Sequence, residues 1–238
     1  MKLLRTTAIC VFAVAIAAPA LAQRNDEAYT AKILEYTTEP FFLTPLVDHL
    51  PASETVPTPL DVLGHIAGAA DVLSYPAEIY QYMRAMAEAS PRAVVFSIGE
   101  TEEGREMIVV VISDEETIAR LDDYKGMLAR LGDPRVTSED EADRIIREAK
   151  PIYWATGAIH SGETGSPEML MELAYRLAVD EDEFIRTIRD SAIVMITPVI
   201  PASLRDLTHW SVSSPDGFNS FGSSEPSPHS LTVYVFSP

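Results

Sequence analysis

Apolar positions follow two periods along this chain, and the switches between them mark its elements. After Pro76, Ile79, Tyr80, Met83 and Met86 recur at helical spacing, and Ser90-Pro91 ends the run. Two β-branched runs follow, Ala93 to Ile98 and Met107 to Ile112. The polar segment Gly99-Glu100-Thr101-Glu102-Glu103-Gly104-Arg105 between them predicts a hairpin connection. Glu139 to Lys150 predicts an exposed helix with Ala142, Ile145, Ile146 and Ala149 on one face, stopped by Pro151. Ile152 to Ile159 is apolar without alternation, the pattern of a strand buried on both sides. Ser166 and Pro167 read as an N-cap and first helical residue, and Met169, Leu170, Leu173, Ala174 and Leu177 continue the helix. A short helix is expected over Glu183 to Asp190 and an interior strand over Ala192 to Thr197. Strands alternating with helices predict an α/β fold, a mixed, mostly parallel sheet flanked by helices.

Regularity fades on either side of this body. Residues 23–74 contain Pro40, Pro45, Pro51, Pro57 and Pro59 in their first part, a density that predicts an extended lead-in laid over the body. His49 and His65 fall here and read as surface or packing residues. Residues 75–199 form the body. Residues 200–238 make an irregular tail that, from position 201, holds ten serines and five prolines. A flexible extension is one reading of this tail, and a chain parted from its proper continuation is the other. At the amino terminus, Lys2 and Arg5 precede an apolar run from Ala8 to Ala18 and the small-x-small pattern Ala20-Leu21-Ala22. This order predicts a signal peptide over 1–22, cleaved before Gln23, and hence export to a periplasm or the medium. The run is short for a membrane span, so no stable membrane association is expected after cleavage.

Composition narrows the partners. Acidic residues outnumber basic ones 36 to 18, a formal charge of -18, which excludes nucleic acid as a natural partner and disfavours anionic lipid. The single cysteine, Cys10, lies in the signal, so the exported chain depends on its core, with or without a metal, rather than on disulfides. A hydrophobic content of 47% makes such a core feasible.

Specific chemistry is concentrated in Gly157-Ala158-Ile159-His160-Ser161-Gly162-Glu163-Thr164-Gly165. A predicted strand ends here in a glycine-bearing loop before a helix, the position where open α/β sheets bind ligands. Imidazole and carboxylate are both good zinc ligands, and a tight loop can bring His160 and Glu163 to one ion. A histidine paired with a nearby carboxylate for structural reasons would give the same spacing.

The segment from Tyr153 to Glu168 resembles the first zinc-ligand motif of carboxypeptidase A-like metallopeptidases. Upstream, Ser97-Ile98-Gly99-Glu100-Thr101-Glu102-Glu103-Gly104-Arg105-Glu106 resembles that family's hairpin, with Thr101 in place of the usual serine. The resemblance covers roughly residues 75–199. It implies that His160 and Glu163 are the first two ligands of a catalytic Zn2+, and that the substrate is a peptide or small amide cleaved with a zinc-activated water. Arg105, within the hairpin motif, reads as structural, and Tyr153 and Trp154 read as core aromatics beside the site. The family's third ligand, a histidine, and its general base, a glutamate, belong further along. Only His209 and His229 follow the motif, both in Ser/Pro-rich surroundings that preorganise a ligand poorly. Ser214-Pro215-Asp216-Gly217-Phe218 only echoes the family's next loop, and no arginine follows it. The expectation is therefore an exported metallocarboxypeptidase homologue, truncated and weak or inactive, with its catalytic residues unknown. A zinc-dependent deacylase of N-acyl amino acids and a non-catalytic remnant are the alternatives.

Overall fold

The computed structural model describes residues 23–160 and 162–200. The expected signal peptide, the tail from residue 201, His209 and His229 lie outside them.

Helix α3, Pro76–Glu88, starts with the Glu78 carboxylate accepting the Tyr75 N–H at 2.7 Å. Its buried face is the expected one, Ile79, Tyr80, Met83 and Met86, with Tyr82 added. Strands β1, Ala93–Glu100, and β2, Glu106–Ile112, form the predicted antiparallel hairpin. Gly104 takes φ +73° in its turn, where a Cβ would be strained. There the Gly104 N–H donates to the Thr101 carbonyl at 2.9 Å. Arg105, exposed, pairs with Glu103 at 2.6 Å.

Helices α4, Glu115–Ala119, and α5, Leu121–Leu131, occupy a stretch for which the apolar pattern gave no element. They are short and charged, and α5 buries no residue fully, so their periodicity was faint. Helix α6, Glu139–Glu148, follows the predicted span, with Ser138 as N-cap. Ile145 is buried, but Ile146 is exposed, correcting the expectation that both share the inner face. One residue further round a helix turns the side chain by about 100°, enough to leave a narrow contact.

Strand β3, Ile152–Thr156, leads to α7, Gly165–Val179; α8, Glu183–Ser191, then leads to β4, Ile193–Thr197. The sheet is mixed, in the order β1-β2-β4-β3. Pairs β1–β2 and β2–β4 are antiparallel, and β3–β4 is parallel. A hairpin can only make the former, whereas a crossover through α7 and α8 permits the latter. Alternate residues of the central strands divide between two cores. Ile108, Val110, Ile112, Val194 and Ile196 meet α3 and α7, while Met107, Val109, Val111, Ile193 and Met195 meet Ile118, Leu121 and Tyr124.

Strand β3 is shorter than its apolar run and is not buried on both sides. It ends the sheet among the described residues, and Tyr153 is 65% exposed, not a core aromatic. Trp154 is partly buried, its Nε1–H donating to Thr197 Oγ1 at 3.0 Å.

The lead-in is not merely extended. Asp26 caps a ten-residue helix, α1, Glu27–Tyr36, because the prolines begin only at Pro40. A single 3-10 turn, Pro40–Phe42, and helix α2, Pro59–Leu63, follow, the latter closed by a reciprocal Thr58–Asp61 cap. Buried tyrosines fasten this segment to the body. Tyr175 Oη–H donates to the Pro51 carbonyl at 2.9 Å, Tyr82 to that of Pro57 at 3.5 Å, and Tyr29 Oη accepts the Ala67 N–H at 3.0 Å. Burial pushes all three phenols above their ordinary pKa, so they remain neutral. Leu50, Val56 and Ile66 complete the attachment from the lead-in side.

Asp114 gives a pH prediction. Burial raises its pKa, but the Lys150 ammonium and the Thr117 hydroxyl and N–H outweigh burial and hold it at about 2. A carboxyl depressed in the folded state stabilises above its unfolded pKa, near 4, and that contribution fades as pH falls toward 2. Asp114→Asn should lose about 2 kcal/mol at pH 7 and flatten the stability curve between pH 4 and 2. Urea unfolding at stepped pH measures both effects, and an unchanged slope in the variant contradicts the assignment.

Candidate functional site

The loop after β3 is shaped by contacts that only a few residue types permit. Gly157 donates its N–H to the Thr197 carbonyl at 3.0 Å and accepts the Ile200 N–H at 2.9 Å, binding the ends of β3 and β4 together. A Cβ at Gly157 would lie 2.6 Å from the Pro198 carbonyl oxygen and 2.8 Å from Leu170 Cδ1. Ala158 then turns through φ +49°, an uncommon conformation for a residue with a side chain.

Ser166 does not cap the following helix as expected. Helix α7 begins two residues earlier than expected, at Gly165, and Ser166 Oγ spans the loop instead. It accepts the Ala158 N–H at 2.9 Å and donates to the Glu163 carbonyl at 3.2 Å. The hydroxyl thus satisfies two loop groups that the helix start leaves open.

The structure brings His160 and Glu163 together. His160 Nδ1 lies 2.7 Å from Glu163 Oε1, the His160 N–H donates to Glu163 Oε2 at 3.2 Å, and the Glu163 N–H donates to the His160 carbonyl at 3.0 Å. The bond to the His160 ring, and then that to its N–H, lowers the Glu163 pKa, so the carboxylate is charged and ready to ligate. Both side chains are about half exposed, open to an arriving ion.

This donor pair suits zinc, one borderline nitrogen and one oxygen on a short loop. A metal held by these two side chains would take the place of the hydrogen bond between them. Among the described residues, no third histidine, cysteine, aspartate or glutamate stands close enough to complete a metal group. His49 is paired with Asp48 at 2.5 Å, and His65 Nδ1 lies 3.1 Å from the Ile66 carbonyl, so neither joins the pair.

Sequence reasoning missed a polar row on α7. Glu168 is buried, and its carboxylate accepts the Gly68 N–H at 3.2 Å and the Ser74 N–H at 3.0 Å, pinning the 68–74 loop beside the motif. Glu172 and Arg176 continue the row at four-residue steps. Charged residues at i, i+4 on a helix otherwise rich in buried apolar residues were the available signal.

The zinc carboxypeptidase family profile matches residues 79–201, more than half of the chain. Among solved structures, the carboxypeptidase A of Helicoverpa armigera is 16% identical, with 59% of this chain and 30% of that one covered and a TM-score of 0.39. A structure from Burkholderia mallei described as a candidate carboxypeptidase is 22% identical, with 52% and 25% covered and a TM-score of 0.35. The chain therefore spans less than a third of the length of either. Comparison with curated proteins gives no significant match. No helix of the described residues is long and apolar enough to cross a membrane. From the profile match, which takes in both the hairpin and the His160–Glu163 loop, the chain belongs to the zinc carboxypeptidase family.

Proposed function

We propose that this chain is an exported metallocarboxypeptidase homologue whose His160 and Glu163 hold zinc and whose substrate class is a peptide cleaved at its C-terminal bond. The observation that carries the reading is the 2.7 Å imidazole–carboxylate pair on the loop after β3, inside the family-matching stretch. Zinc, when bound, would supply Lewis acidity toward the scissile carbonyl and toward water. The protein's own residues hold the pair in place. Gly157 fixes the loop to β4, Ser166 ties its two arms, and Glu168 anchors the neighbouring loop.

A catalytic zinc site takes three protein ligands and leaves one position open. Two ligands stand together among the described residues, so the reading for this chain is weak zinc binding and little or no hydrolysis. Zinc titration of the full chain, His160→Ala and Glu163→Ala should show weak binding that falls roughly tenfold or more in each variant. Tight stoichiometric zinc unaffected by either change would refute the assignment. If tight zinc is instead lost in His209→Ala, a complete site exists and hydrolysis of a C-terminal peptide substrate becomes the expected result.

Export rests on the amino-terminal pattern of Lys2, Arg5, the Ala8–Ala18 run and Ala20-Leu21-Ala22. The exported product should begin at Gln23 on N-terminal sequencing. Recovery of the intact Met1 chain from membranes would contradict it.

A further inference from the structure

Beside the polar row of α7 lies a cavity of about 750 Å³, within the size range of small-molecule sites. Its walls come from α1, the 42–47 and 66–73 segments, α7 and α8. Leu46, Leu73, Met169 and Phe184 line it while remaining about half exposed, so among the described residues its mouth is an uncovered apolar surface. Exposed apolar side chains gathered round one opening are unusual for a surface with no ligand.

Arg176 also lines the cavity, and its side chain is only 7% exposed. Its Nε and Nη2 have no hydrogen-bond partner. The guanidinium charge is nonetheless balanced. Glu172 Oε1 lies 3.6 Å from Nε, and Asp180 Oδ2 lies 3.5 Å from Nη1, ion pairs longer than ordinary hydrogen bonds. Buried donors left unmade are costly and rare in native proteins. Here charge is spent and donors are not, and Glu168 adds a further carboxylate to the lining. An additional anion would meet the Glu168 and Glu172 carboxylates of the lining, whereas an uncharged acceptor would meet the donors without that repulsion.

We propose that this cavity binds a neutral acyl compound, an amide or ester whose hydrocarbon chain fills the apolar space and whose carbonyl oxygen accepts from Arg176 Nε–H and Nη2–H. Both nitrogens are sealed from solvent, so the carbonyl reaches them by displacing lining side chains. The site shares no residue with the His160–Glu163 pair and does not depend on zinc.

Calorimetric titration of the full chain with decanamide, and in parallel with decanoate, tests the proposal. Decanamide should bind one to one and roughly tenfold more tightly than decanoate. Arg176→Lys keeps the charge opposite Glu172 and Asp180 but removes the two-donor fork, and should weaken decanamide at least fivefold. Met169→Trp places bulk at an exposed position of the mouth and should weaken both compounds, which keeps the test decisive if Arg176→Lys does not fold. Decanoate binding as tightly as decanamide overturns the neutral-acceptor assignment. Absence of saturable binding, or binding unchanged by Met169→Trp, overturns the site.

Discussion

Gly157→Ala should cost about 2–3 kcal/mol of stability and abolish whatever zinc binding His160 and Glu163 provide. The added methyl would sit 2.6 Å from the Pro198 carbonyl oxygen, a backbone atom, and 2.8 Å from Leu170 Cδ1. Leu170 can rotate only into a filled core, because it is 1% exposed. Moving Pro198 stretches the bonds on either side of it, from the Gly157 N–H to Thr197 and from the Ile200 N–H to Gly157. Either response displaces the strand end from which the His160–Glu163 loop departs. Gly162→Ala is the matched control, since nothing lies within 4 Å of a Cβ there, and it should change stability by less than about 0.5 kcal/mol. Urea unfolding and zinc titration on both variants measure the contrast. Equal stability of the two would mean that the sheet end relaxes freely and that the loop is not held as described.

Arg189→Met should lose about 3 kcal/mol, the largest effect expected away from the His160–Glu163 loop. Arg189 lies on α8 with its side chain 3% exposed, and Nη1 donates to the carbonyls of Leu177 at 3.0 Å and Asp180 at 2.9 Å. These are carbonyls at the end of α7 that the helix itself cannot satisfy. The Arg189 carbonyl in turn accepts from Ser113 Oγ at 3.1 Å and from the Asp114 N–H at 3.2 Å, so one residue joins α8 to α7 and to the end of β2. Methionine keeps most of the volume and removes every donor. The Glu181 partner, 3.3 Å from Nη2, is 42% exposed and rehydrates easily, so Glu181→Gln should cost less than about 1 kcal/mol. Denaturant unfolding of both variants separates the terms. A loss in Arg189→Met no greater than in Glu181→Gln would show that water replaces the guanidinium at those carbonyls.

The sequence by itself determined the elements whose apolar pattern and boundaries are both regular. Helix α3, the β1–β2 hairpin, α8 and β4 follow from apolar spacing, β-branching and flanking breakers, whether one face is buried, as in α3, or both, as in β4. It also determined the chemical identity of the candidate site, since the residues that carry it are contiguous. His160 and Glu163 meet within one loop, three residues apart.

Tertiary structure decided what depends on distant partners. Strand β3 reads as fully interior because its residues are apolar, yet its place at the end of the described sheet leaves Tyr153 facing solvent. The prolines of the lead-in predict irregularity but not attachment, which comes from Tyr29, Tyr82 and Tyr175, whose hydroxyls reach backbone groups 25 to 124 residues away. Ser166 has the composition of a cap and becomes a loop brace, because Ala158 N–H and the Glu163 carbonyl offer it both an acceptor's and a donor's role. The row Glu168, Glu172 and Arg176 looks like a solvated helix face in one dimension. Packing of the 66–74 segment and α8 over α7 takes it from water, and only then do its unspent donors and its cavity acquire meaning. Periodicity records which face a residue takes, but the partner that covers that face is set by chain segments far away in sequence.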